Sequence, residues 1–132
     1  MERIRLTLNA NAAFSALTGA VLLLGAGAWG PALGLATWLL AVAGISLVSY
    51  GALLWWLAAR PDAVAGARFA TIMDAGWVLG AAIVLLRYPA VMTTGGRAGL
   101  LIVSLVVLGF AEAQFLALRR VGGRETSAVA TG

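Results

Sequence analysis

Apolar residues run along this chain in four long blocks, at residues 8–28, 35–59, 69–86 and 99–118. Short clusters of arginine, proline, glycine and aspartate separate them: Trp29-Gly30-Pro31, Arg60-Pro61-Asp62 and Arg87-Tyr88-Pro89. A helix rises ~1.5 Å per residue, so about twenty residues cross the ~30 Å hydrocarbon core of a bilayer. Each block is long enough to do so or close to it. All three prolines fall in the connections, where no helical hydrogen bond is lost. The pattern predicts an all-α, four-helix transmembrane bundle forming one domain over residues 1–120. The tail, residues 121–132, is small and polar and reads as disordered. A cleaved signal peptide fits the first block less well, because Asn9, Asn11, Ser15 and Thr18 make it too polar.

Composition agrees with this reading. Of 132 residues, 62% are hydrophobic and 11% charged, against about 45–50% and about 25% in soluble domains. The surplus apolar surface makes the lipid bilayer the first partner of the chain. The basic charge is carried by arginine alone and lies in the short connections, so nucleic acid is not a partner. Arg3, Arg5, Arg60, Arg68, Arg119, Arg120 and Arg124 fall on one side of the four-span arrangement, and Arg87 and Arg97 on the other. That bias predicts a multi-pass protein with both termini in the cytoplasm, N-in and C-in. Trp29, Trp38 and Tyr88 then fall at the outer boundary and Trp55 and Trp56 at the inner one, whereas Trp77 and Tyr50 lie deeper and should pack inside.

The residues also limit the chemistry. There is no cysteine and no histidine, which removes disulfides, thiolates and the commonest metal and haem ligands. No metal and no cofactor is expected. The glycine-rich runs lack the Gly-Lys-Ser/Thr of a phosphate loop. No serine has a base at helical spacing, so no catalytic residue is assigned and the chain does not read as an enzyme.

What remains is a polar layer. Counting from the flanking arginines at ~1.5 Å per residue, Asn11 and Asp74 lie ~9 Å inside the membrane, Glu112 ~10 Å and Tyr50 ~15 Å, with Ser49 beside it. Asn11, Ser15 and Thr18 form one stripe on the first span, and Thr71 and Asp74 share a face of the third. Leu105, Leu108, Glu112, Phe115 and Arg119 share a face of the fourth, with Gln114 pointing roughly the opposite way, to headgroups or a partner subunit. Hydrocarbon is a poor host for an ionised carboxyl group. Asp74 and Glu112 are therefore expected to turn inward and meet in one shielded layer with Asn11, Ser15, Tyr50 and Ser49. That cluster serves either to fix helix register or to bind a proton or cation entering from the cytoplasmic side.

Small residues mark packing. Gly76 and Gly80 form a Gly-xxx-Gly pair on the third span, off the Asp74 face. Ser15 and Gly19, and Gly109 and Ala113, repeat the spacing. Two uses are open for Gly76 and Gly80: packing within one bundle, or contact in a homodimer or larger membrane complex.

The segments Asn11-x-x-Phe14-Ser15-x-x-Thr18-Gly19, Asp74-x-x-Trp77-Val78-Leu79-Gly80 and Phe110-Ala111-x-x-Gln114 resemble an uncharacterised group of small bacterial four-helix integral membrane proteins. The resemblance implies a bacterial inner-membrane location and supplies no activity. Small multidrug exporters share the size and span count but carry an acid in the first span, where this chain has Asn9 and Asn11. The leading expectation is thus a small, non-enzymatic inner-membrane protein acting as a structural or accessory subunit. The alternative is a proton- or cation-coupled small transporter or channel using Asp74 and Glu112.

Overall fold

The helices of this chain start and stop where single residues interrupt the backbone ladder. The computed structural model describes the backbone of residues 1–130 and the side chains of residues 1–123. Helix α1, Glu2–Leu24, ends at Gly25. A short helix α2, Ala26–Leu33, follows and closes at Gly34, whose φ of 72° is a left-handed cap that glycine adopts without steric cost. Helix α3, Thr37–Ala59, stops at Arg60, held extended by the following Pro61. Asp62 caps α4, Ala63–Arg87, by accepting the Ala65 N–H at 3.2 Å. A 3₁₀ turn at Pro89–Val91 leads to α5, Thr94–Ala130.

Thr93 caps α5 by accepting the Gly96 N–H at 3.0 Å. Its hydroxyl also donates to the Ala32 carbonyl at 2.7 Å, and its N–H to the Leu33 carbonyl. The start of α5 is thereby tied to the end of α2. No strand occurs among the described residues, and α1, α3, α4 and the described part of α5 are each long and apolar enough to span a bilayer.

The four-span, all-α bundle read from the sequence is the one observed. At the boundaries, α1 stops inside its apolar block at Leu24, α3 starts inside its own at Thr37, and Trp29-Gly30-Pro31, expected as a turn, lies in α2. Three helices begin before their apolar blocks, because a helix satisfies its own backbone whether lipid or water surrounds it. Thus α1 begins at Glu2 and α4 at Ala63, and α5 opens at Thr94. Its backbone continues through the stretch from Val121 to Ala130 that the sequence suggests is disordered. The last two residues of that stretch, 131 and 132, lie outside the described residues.

Helices pack as two antiparallel pairs, α1 with α3 and α4 with α5. The first pair is close. A Cβ on Gly19 would sit 2.6 Å from the Gly44 carbonyl oxygen, one on Gly44 2.7 Å from that of Gly19, and one on Gly51 2.7 Å from that of Ala12. Only glycine permits such backbone approach, and close backbone packing is the main cohesive contact available in lipid. The two pairs meet through an apolar cluster that includes Ile4, Leu8, Leu54, Ala63, Ala67 and Ala117. This cluster occupies the end of the bundle where Met1 and Arg3 lie beside Arg120 and Val121, here called the termini end. The outward surface is mostly apolar, with Leu24, Ile72 and Leu86 largely uncovered, as helices facing hydrocarbon require. Trp56 stays at the termini end, with the Arg60 guanidinium 3.9 Å from its ring centroid.

Candidate functional site

Asp74 owes its position to the small-residue face of α4. Ala63, Ala67, Ala70, Asp74 and Ala81 are buried at helical spacing, and alanines let the neighbouring helices close around the carboxyl group. On α1 the buried stripe is Ile4, Leu8, Asn11, Ala12, Ser15 and Gly19. The two stripes meet at the level of Asn11 and Asp74.

The contacts are specific. Asn11 Nδ2 donates to Asp74 Oδ2 at 2.7 Å, and the Tyr50 hydroxyl donates to Asp74 Oδ1 at 3.0 Å. Ser15 Oγ donates to Asn11 Oδ1 at 3.3 Å, which orients the amide with its nitrogen toward the acid. Each carboxyl oxygen therefore has a donor from a different helix, and α1, α3 and α4 are bound at one depth. Asp74 itself is 3% exposed. One turn toward the termini end, the Thr71 hydroxyl lies 2.8 Å from the Ala67 carbonyl and 3.3 Å from Gln114 Oε1, which links α4 to α5. Gln114 is fully buried, and its Nε2 has no partner among the described residues.

Four of the six polar residues expected in the layer come together: Asp74, Asn11, Ser15 and Tyr50. Two do not. Ser49 is exposed on α3, a helical step away from Tyr50. Glu112 is exposed on the outer side of α5, and the inward position belongs to Gln114. The expectation that the two acids share a shielded site is thereby corrected, as is the outward placing of Gln114. The reason lies in how α5 packs. Its covered face holds the small residues Ser104, Ala111 and Ala117, and Gln114 falls on that face, three residues from each alanine. The sequence reading misses Gln114; the spacing of Ser104, Ala111 and Ala117 is the one signal from which its inward place can be read.

Gly76 and Gly80 do not pack within the bundle either. Both are exposed, with open space where a Cβ would be. Gly19, by contrast, packs against α3.

Above Asp74, away from the termini end, the two helix pairs separate around a cavity of about 360 Å³. Asp74 forms its floor, with Ser15 and Tyr50. Phe14, Thr18, Ser46, Met73 and Trp77 make the wall, together with apolar residues of α3 and α5. Ser46 is exposed, Met73 is 48% and Trp77 40% exposed. All three stand on α3 or α4, so the cavity opens sideways between these helices. Trp77, which its depth in the sequence predicts to pack inside, instead lines this opening. On the far side Phe14 is backed by Phe110, with ring centroids 5.6 Å apart.

Asp74 is the one ionisable carboxyl group in the cavity lining, and no arginine joins it there. An acid in such surroundings holds either a proton or the positive charge of a ligand. The aromatic residues Phe14, Tyr50 and Trp77 line the cavity, a residue type that attracts cations, and the rest of the wall suits an apolar body. No family model, curated protein or solved structure matches the chain.

Proposed function

We propose that this small multi-pass membrane protein binds a lipophilic organic cation in the cavity, with Asp74 as the counter-charge, and carries it across the bilayer in exchange for protons. The observation that supports this reading is the ~360 Å³ cavity that ends on the buried Asp74 carboxyl group. A cavity of that size accommodates a small drug-like molecule. Its opening between α3 and α4 faces the acyl chains, where a lipophilic cation concentrates. Asp74 accepts one charge at a time, so cation and proton compete for it, and that competition is the minimal basis for coupled exchange.

Two further features support this reading. The apolar cluster around Leu8, Leu54 and Ala67 closes the site toward the termini end. The helices also form two pairs, which can rock against each other around a site between them. The arginine bias supports a bacterial inner-membrane orientation with the termini in the cytoplasm. In that orientation the described conformation is closed to the cytoplasm, and the ligand enters from the lipid rather than from the cytoplasmic side.

A second reading, a structural or accessory subunit, is favoured by the hydrogen bonds that Asn11 and Tyr50 already supply to both Asp74 oxygens. Proteoliposome flux separates the two. Under a pH gradient, the wild-type protein should drive uptake of tetraphenylphosphonium that collapses with the gradient and is lost in Asp74→Asn. Gradient-independent behaviour equal to empty liposomes, in protein shown to be folded, would favour the subunit reading.

A further inference from the structure

Glu112 occupies a position that the bundle alone leaves unexplained. Its depth is fixed from both sides. The Phe110 ring meets Phe14 at 5.6 Å, and Gln114 reaches Thr71. Glu112, between them on α5, lies in the same layer as Asp74 but faces outward. Around it on the outer surface are Leu105, Leu108, Phe115 and Leu116, all exposed. Glu112 has no donor among the described residues, and a carboxyl group left so among acyl chains is costly, so a partner at that depth is called for. One turn away, Gly109 has open space where a Cβ would stand. A second backbone can therefore approach closely beside the acid.

We propose that this face of α5 docks a second copy of the chain, parallel to the first, with the two Glu112 side chains facing each other across a two-fold axis. The occupant follows from depth and charge. The arginine bias inserts every copy in one orientation, and parallel copies bring equal residue numbers to equal depth. A copy of this chain thus always presents a polar group at the level of Glu112, which lipid does not. A carboxyl group offers both acceptor and donor capacity, so two facing Glu112 side chains can hydrogen-bond to each other. They are their own complement, as a two-fold interface demands. Gly76 and Gly80 on α4 are also uncovered, but lipid covers glycine at no polar cost, and that face makes no equivalent demand. The proposal is independent of ligand binding in the Asp74 cavity.

The chain contains no cysteine, so single cysteines report the interface directly. In native membranes under mild oxidation, Gly109→Cys should give disulfide-linked dimers, and Gly76→Cys should stay monomeric. Adding Glu112→Gln to Gly109→Cys should preserve the dimer, because an amide is also donor and acceptor. Adding Glu112→Leu should cut the dimer yield several-fold. Monomer at Gly109→Cys, equal yields from both cysteines, a yield indifferent to Glu112→Leu, or an adduct with a different protein would each overturn the proposal.

Discussion

Asp74 is held by two donors that come from other helices, so its removal and its neutralisation are different experiments. Asp74→Asn keeps an oxygen for Asn11 or Tyr50 and loses one contact, worth around 0.6 kcal/mol in membrane proteins. Asp74→Leu strands the Asn11 amide and the Tyr50 hydroxyl, which costs about 1–3 kcal/mol. Unfolding in detergent should rank wild type above Asp74→Asn and Asp74→Asn above Asp74→Leu. Equal stability of all three would mean that the hydrogen bonds to Asp74 do not hold the bundle. Gln114 should behave in the opposite way. Its Nε2 is buried without a partner among the described residues, so Gln114→Leu should be neutral or stabilising. A half-turn of the Gln114 amide would let Nε2 donate to the Thr71 hydroxyl and leave a carbonyl oxygen free instead; a clear loss of stability in Gln114→Leu would point to that arrangement.

At the scale of the helix, glycine does two jobs in this chain, and substitution tells them apart. Gly44 and Gly51 face backbone atoms of α1 at distances that no Cβ tolerates, and these atoms have little room to move. Gly44→Leu or Gly51→Leu should force α1 and α3 apart, destabilising the bundle by about 1–3 kcal/mol or more. Gly76→Leu and Gly80→Leu project into open space and should leave unfolding unchanged. The contrast is read by parallel denaturation of the four variants. The sequence makes this distinction hard to see. Gly44 and Gly51 are seven residues apart and attract no attention as a motif, whereas Gly76 and Gly80 have the spacing usually taken as a packing signal. In lipid both faces of a helix are apolar, so hydrophobicity does not reveal which one is covered. The same ambiguity misassigns α5: Glu112 and Gln114 are both polar, and small residues stand on both sides, Ser104, Ala111 and Ala117 on the packed one and Gly109 on the open one.

At the scale of the whole molecule, the span count is legible because bilayer thickness fixes block length, but the helix boundaries are only partly so: α1, α4 and α5 begin before their blocks, and Pro31 lies inside α2 rather than in a turn. The common depth of Asn11 and Asp74 is legible for the same reason, since it follows from counting residues inward from the arginines, whereas the same count sets Tyr50 deeper, at ~15 Å, and its bond to Asp74 appears only in the fold. The cavity is not legible. It lies between the two helix pairs above Asp74 and is lined by residues of α1, α3, α4 and α5. No local pattern encodes that. Transport by this protein requires that the cavity take a cation through Asp74. Equilibrium dialysis of tetraphenylphosphonium against the purified protein measures this most directly, with Asp74→Asn and Glu112→Gln alongside. Saturable binding should appear in wild type and Glu112→Gln, weaken as the pH is lowered, and vanish in folded Asp74→Asn. Binding that persists unchanged in Asp74→Asn, or is absent from all three proteins, would contradict it.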